Sequence, residues 1–291
     1  MKTFAFSNLP QRVVFGPGSL AALGTEIQRI GASRALVLST PEQAALAFAL
    51  KAQLGDCCVG VFDRARMHVP MEIVREAIDE ARRLRADCVV AAGGGSTIGL
   101  GKAIALESRL PVIAVPTTYA GSEVTSIYGV TEAGIKKTGR DLQVLPKTVI
   151  YDPSLTLTLP VGMTVVSGIN GIAHAAESLY AHDGNPIVAL LAEEGIRAIA
   201  AALPAIARAP GDITARGDAL YGAWLCGTVL GQVSMGLHHK LCHTLGGAFD
   251  LPHAETHTIV LPHALAYNAP AIPDVRLNCA AIMEMRNCSA P

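Results

Sequence analysis

Residues 88–96 constrain this chain more than any other stretch: Cys88-Val89-Val90-Ala91-Ala92 runs directly into Gly93-Gly94-Gly95-Ser96. An unbroken apolar run of strand length predicts a strand covered on both faces, and such strands belong to parallel sheets flanked by helices. The same pattern recurs at 11–15 (QRVVF), 35–38 (ALVL), 59–62 (VGVF) and 111–116 (PVIAVP). Between these runs, 19–30 (with Ser19 as N-cap), 42–54 and 71–86 read as helices. In the last of them Ile73, Val74, Ala77, Ile78 and Ala81 share one face. Strand and helix alternating in this way specify an α/β domain built on a parallel sheet.

From about 157 the pattern changes to consecutive helical stretches, 161–181, 186–208 and 213–235, followed by a histidine-bearing helix. The lack of Gly or Pro just before Gly246 makes 220–245 read as one largely buried helix, ended by Gly246-Gly247. The expected organisation is therefore an α/β domain over 1–156 and an all-helical domain over 157–291, a division that 291 residues allow.

Charged residues make up 16% and the formal net charge is −1, which gives no electrostatic footprint for nucleic acid or an anionic membrane. No apolar run approaches the roughly 20 residues of a membrane span, and the N-terminus carries no leader pattern. Seven cysteines, an odd number with no CxxC pair, fit reduced thiols in a cytoplasm. Low charge with 51% hydrophobic residues predicts extensive burial and an oligomer interface, with a homodimer as the expected state.

Two stretches carry chemistry. Gly93-Gly94-Gly95-Ser96 stands where a strand gives way to a helix, where backbone can approach a phosphate and the first helical N–H groups can receive it. The next strand ends in Pro116-Thr117-Thr118-Tyr119-Ala120-Gly121-Ser122-Glu123, rich in hydroxyls, and ligands of open α/β sheets bind outside such strand ends. A tight turn alone is the plainer reading of the glycines; two adjacent loops of this chemistry favour a nucleotide.

The second stretch, 235–257, holds His238, His239, His243, His253 and His257, five of the nine histidines. His239 and His243 are four apart and share a helical face, and the FDLPH loop returns His253 towards them. Asn170 and His174 have the same spacing further upstream. Asn170, His174, His239 and His253 make a four-point pocket whose imidazoles suit Zn²⁺ or Fe²⁺, or else grip an anionic substrate directly. Cys242 sits beside His243 but faces elsewhere on a helix. Lys136, Lys137 and Arg140 read as a solvated loop that could alternatively bind a carboxylate, and His68 and His263 read as structural.

Taken in order, FGPGSL at 15–20, GGGSTIGLGKA at 93–103, PTTYAGSEVTS at 116–126, YDPSLTLTLP at 151–160, VVSGINGIAHAAE at 165–177 and HHKLCHTLGGAFDLPHAETH at 238–257 resemble the iron-containing (group III) alcohol dehydrogenase superfamily. The resemblance implies a dehydroquinate synthase-like fold and a nicotinamide cofactor. Gly94, Gly95 and Ser96 match the pyrophosphate turn, and Thr117, Thr118 and Ser122 match the loop flanking the cofactor. The family's metal-binding acid falls on Asn170, its metal histidines on His174, His239 and His253, and a histidine near the nicotinamide on His243. Two departures, Asn170 and Gly99 where the family usually has Asp, resemble the branch that reduces the C=C bond of maleylacetate to 3-oxoadipate in aromatic-compound degradation. The acid that often disfavours NADP falls near Thr40, so NADH and NADPH are both expected. Beyond Pro273, DVRLNCAAIMEMRNCSAP does not resemble the family, so a shortened helical domain is expected.

These readings predict a soluble NAD(P)H-dependent reductase acting on a small dicarboxylate. His174, His239 or His253 would stabilise the oxyanion and His243 would return a proton. A metal-dependent alcohol or polyol dehydrogenase using Fe²⁺ or Zn²⁺ is the first rival, and an inactive cofactor-binding remnant the second.

Overall fold

The computed structural model describes residues 3–272; the stretch after Pro273, with Cys279 and Cys288, lies outside them. The chain divides into two compact units. One is Leu9–Leu159, and the other joins the described parts of Met1–Asn8 and Pro160–Pro291. The junction thus falls at 159/160, and residues 3–8 go with the helical unit.

The first unit contains β1 (Arg12–Phe15), α1 (Leu23–Arg29), β2 (Ala35–Leu38), α2 (Ala44–Leu54), β3 (Cys58–Phe62), α3 (Met71–Arg83), β4 (Cys88–Gly93), α4 (Gly95–Ser108) and β5 (Val112–Pro116). It continues with β6 (Ile127–Glu132), β7 (Ile135–Arg140) and β8 (Thr148–Tyr151). Six strands form one parallel sheet in the order β1-β8-β5-β4-β2-β3. Every residue of β2, β4, β5 and β8 is buried, as their apolar runs require. On one face the sheet packs with Ile73, Val74, Ala77, Ile78 and Ala81 of α3 and with Ile98, Ala103 and Ile104 of α4. On the other it packs with Leu23 and Ile27 of α1 and Ala47 and Leu50 of α2. Each buried Val, Leu or Ile among these contributes roughly 1.5–3 kcal/mol, and each Ala less.

Two details differ from expectation. Ser19 is not an N-cap: its hydroxyl donates to the Tyr151 carbonyl at 3.0 Å, and residues Ser19–Ala22 form a 3-10 turn that leads into α1. Lys136, Lys137 and Arg140 lie on β7, paired antiparallel with β6, rather than in a loop. Lys137 pairs with Glu132 across that hairpin at 2.9 Å.

The second unit contains α5 (Val161–Ser178), α6 (Pro186–Arg208), α7 (Ile213–Gln232), α8 (Leu237–Phe249) and α9 (His253–Asn268). Its core gathers Ala175, Val188, Ala192, Ile196, Ile199, Leu203, Cys226 and Val229. Among the described residues no helix is long and apolar enough to cross a membrane.

The expected single helix over 220–245 is two helices, broken at residues 233–236. The break is held by acids from elsewhere in the chain. Asp183 accepts from the Ser234 N–H at 3.0 Å, and Glu177 accepts from the N–H groups of Gly236 (3.1 Å), His238 (2.8 Å) and His239 (3.3 Å). A carboxylate at a helix N-terminus satisfies orphan donors and complements the helix dipole. Gly246-Gly247 do not end α8 either; the helix runs through both and stops at Asp250, which adopts the left-handed conformation (φ 52°) that Asp tolerates.

Candidate active site

In the α/β unit, β4 ends at Gly93 and pairs there with Pro116, the last residue of β5, so the two predicted loops leave the sheet side by side. The Thr117 N–H donates to the Gly93 carbonyl at 3.1 Å, and Gln43 Nε2 donates to Thr117 Oγ1 at 2.8 Å. Gly94 caps α4 without a side-chain bond, leaving the first N–H groups of a 14-residue helix for a ligand. A Cβ on Gly94 would come within 2.9 Å of Thr118 Cγ2, whereas one on Gly95 would meet nothing within 4 Å. The loops are therefore packed beneath Gly94 and open above Gly95, a shape that fits a pyrophosphate. Ser122 is joined to the same floor through Lys102, whose buried ammonium donates to the Ser122 carbonyl, to Thr125 Oγ1 (2.9 Å) and to the Ile127 carbonyl (2.8 Å). Gly99 lies on the α4 face next to Val69, whose Cγ2 would stand 2.7 Å from any Cβ placed there. An Asp at 99 would need that loop to move.

In the helical unit, Asn170, His174 and Glu177 fall at i, i+4 and i+7 of α5 and are all buried. α8 supplies His238, His239 and His243; α9 supplies His253 and His257. Ring centroids of His174 and His239 lie 5.1 Å apart, those of His239 and His243 6.0 Å, and those of His243 and His253 6.1 Å. Thus the predicted histidines form one cluster, with His174 and His239 buried and His243 and His253 exposed.

Three members of this cluster were not among the candidates. His257 sits centrally, 4.3 Å from His253 and 4.9 Å from His239 between centroids. His238 touches it through a 3.0 Å contact between Nε2 and the His257 Nδ1. Glu177 lies 2.6 Å from the His239 Nδ1. The spacing of His253 and His257, four residues on one helix, is the signal that could have found His257.

Burial and the neighbouring histidines hold His174 and His257 well below the ordinary imidazole range, and burial lowers His238 to about 4. All three are neutral near pH 7. Burial raises the Glu177 carboxyl, but the bonds from His239 and the α8 backbone outweigh it and hold the group ionised. An ionised carboxylate only accepts, so His239 donates from Nδ1 and presents a lone pair at Nε2. Cys242, buried beside His238 at 3.7 Å, has its thiol raised to about 11 by burial and the nearby Glu177 charge, so it is no nucleophile at neutral pH.

The family model for iron-containing alcohol dehydrogenase matches residues 10–153, and that for the C-terminal part of the Fe-containing alcohol dehydrogenase family matches 164–290. The chain belongs to the iron-containing alcohol dehydrogenase family and is an oxidoreductase. Within that family it is similar to the maleylacetate reductase of Burkholderia cepacia, 68% identical over 92% of this chain and 76% of the relative. The structure of a maleylacetate reductase from Agrobacterium tumefaciens superposes with a TM-score of 0.94 at 56% identity, covering 97% of this chain and 81% of that one. An iron-containing alcohol dehydrogenase from Corynebacterium glutamicum gives a TM-score of 0.92 at 46% identity, covering 97% and 79%. The C-terminal family model reaches residue 290, so family likeness extends past Pro273, where the motif reading ended it.

The family implies a nicotinamide nucleotide and a metal. The residues fit a cation in kind: Asn170 Oδ1, His174 Nδ1 and His239 Nε2 are buried with no hydrogen-bond partner among the described residues. The set is neutral throughout, because position 170 carries an amide, and it would hold a divalent ion more weakly than one with a carboxylate. Among the described residues, a group of three whose ligand atoms all lie within 4.8 Å of one another is formed by His238, Cys242 and His257.

Proposed function

We propose that this protein reduces the C=C bond of maleylacetate to 3-oxoadipate with NADH or NADPH. The observation that carries this reading is a buried histidine cluster whose acid position is an amide, in a chain 68% identical to a maleylacetate reductase. A dianionic substrate is better received by an amide at position 170 than by a second carboxylate there, the one carboxylate of the cluster, Glu177, being engaged with His239 and the α8 backbone. Gly94, Gly95, Ser96, Thr117, Thr118 and Ser122 would hold the nucleotide. Thr40, at the end of the loop after β2, bears no charge to repel a 2′-phosphate, which leaves both nucleotides open.

The reduced nucleotide, when bound, would supply a hydride to the alkene carbon β to the ketone, so that the electron pair of the C=C bond would pass to the ketone oxygen as an enolate. His174 and His253 would flank that oxygen or a carboxylate, each donating through an N–H, with His239 held beside them by Glu177. A proton returns to the carbon next to the ketone. Exposed His243 is placed beside both His239 and His253 to deliver it. A metal held by His174, His239, His253 and Asn170 would polarise the ketone oxygen.

The test is oxidation of NADH and of NADPH with maleylacetate, before and after exhaustive chelation. Turnover that survives chelation supports the imidazole-based reading. Turnover lost on chelation and restored by Fe²⁺ or Zn²⁺ means that Asn170 does not prevent metal binding and that the reduction uses a cation, and no turnover from folded protein would overturn the assignment.

A further inference from the structure

His257 is fully buried, and its ring lies within 6.3 Å of those of His174 and His243 as well as beside His239 and His253. Its Nε2 is buried with no partner among the described residues, while its Nδ1 faces His238 Nε2 at 3.0 Å. One of those two nitrogens must donate to the other. Cys242 lies against the same ring, its sulfur 3.7 Å from His238 Nε2 and 4.0 Å from Nδ1; Nε2 is already engaged with His257, so Nδ1 is the nitrogen left to accept the thiol proton. The chain then runs in one direction, from the Cys242 S–H to His238 Nδ1 and from the His238 Nε2–H to His257 Nδ1. That leaves the proton of neutral His257 on Nε2. Reversing the chain would aim a second lone pair, next to that of His239, at the space where an anion must enter.

We propose that His257 is a substrate-contacting donor whose Nε2–H meets an anionic oxygen of the substrate, with His238 as the positioning residue that fixes its tautomer. This rests on the reading above that the substrate is an anionic oxo-dicarboxylate. The oxygen is either a carboxylate, bound throughout, or the enolate oxygen that gains charge during hydride transfer. In the second case the donor strengthens its bond only as the reaction proceeds.

His257→Asn places an amide oxygen near Nδ1, keeping the bond from His238 while removing the distal donor. His257→Gln places an amide N–H near Nε2 and restores it. Full-length protein is assayed for binding of 3-oxoadipate by calorimetry and for turnover of maleylacetate. A hydrogen bond to a charged oxygen is worth a loss of about tenfold to a hundredfold when removed. With His257→Asn that loss falls on 3-oxoadipate affinity and KM if the oxygen is a carboxylate, and on kcat if it is the enolate. His257→Gln stays within about threefold of the parent by the same reckoning. Wild-type behaviour of His257→Asn, or equal losses in both variants, overturns the proposal. Should either variant fail to fold, nitrogen NMR of ¹⁵N-histidine-labelled parent protein decides. A protonated Nε2 on His257 supports the donor, and a protonated Nδ1 refutes it. The tautomer is read whether or not maleylacetate turns over, so failure of the substrate assignment is seen separately.

Discussion

Glu177 on α5 and His239 on α8 meet through a buried 2.6 Å contact between Oε2 and Nδ1, and the same carboxylate closes the N-terminus of α8. One side chain thus sets both where the helix begins and which nitrogen of His239 faces the cluster. Outer partners of this kind commonly change activity or metal affinity by about 10–100-fold when altered. Glu177→Gln keeps the size but loses the charge and turns an N–H₂ towards backbone donors. We expect kcat/KM to fall by about that factor and stability to fall by about 1.5–3 kcal/mol, the range for hydrogen bonds to charged groups. Steady-state kinetics with thermal unfolding checks both; parental kinetics would remove Glu177 from any role at His239.

Asn170→Asp tests the charge of the cluster. A carboxylate beside His174 gives a divalent cation the anionic ligand that the present set lacks, and it repels a dianion. Zn²⁺ or Fe²⁺ affinity should rise about tenfold or more, and KM for maleylacetate should rise while NADH affinity stays unchanged. Unchanged maleylacetate kinetics in a metal-free preparation would show that charge at 170 does not select the substrate.

How much of this was legible in the sequence follows from where the determining contacts lie. Strands such as 88–92 announce themselves because two-sided burial needs an unbroken apolar run, and that information is local. β7, reading IKKTGR, is almost wholly exposed, so it has neither an apolar run nor an apolar alternation to betray a strand. The helix read over 213–235 ends close to the observed break, but the unbroken reading over 220–245 misses it, because the acceptors that hold it, Asp183 and Glu177, stand more than fifty residues upstream. Of the site, spacing on single helices found Asn170 with His174 and His239 with His243. It gives His257 no role, since reading 249–253 as a returning loop leaves unmarked the helix that starts at His253.

Lys102 gives a pH dependence with a definite sign. Burial, partly opposed by Glu123, lowers its ammonium to about 7 from an ordinary value of 10.5. Between those values the unfolded chain binds a proton that the folded chain does not, so stability rises with pH across the window. The rise is at most about 1.4 kcal/mol per pH unit, one proton's worth. Tyr151 and the cysteines whose thiols burial raises act oppositely as the pH nears their ordinary 10.0 and 9.0, so the difference between the parent and Lys102→Met, read by urea unfolding between about pH 7.5 and 9.5, isolates the lysine. Lys102→Met should lose this slope; Ser122 O and Thr125 Oγ1 keep other donors, so the lost bonds to the ammonium should cost about 1–3 kcal/mol in all near neutrality. A slope identical in the two proteins would mean that Lys102 stays charged throughout.

Gly94 and Gly95 separate the fold from nucleotide binding. At Gly94 a methyl would press to 2.9 Å of Thr118 Cγ2, so Gly94→Ala must shift the Thr117–Thr118 loop even without ligand. At Gly95 a methyl meets nothing within 4 Å, and Ala is the better helix former. Gly95→Ala should therefore unfold at the same temperature as the parent, or slightly higher. If a pyrophosphate rests on the first turn of α4, the same methyl stands in its way, and NADH and NADPH should bind about tenfold or more weakly. Fluorescence titration of both nucleotides, paired with thermal unfolding, reads the two effects independently. Parental nucleotide affinity in a stable Gly95→Ala protein would move the pyrophosphate away from this turn.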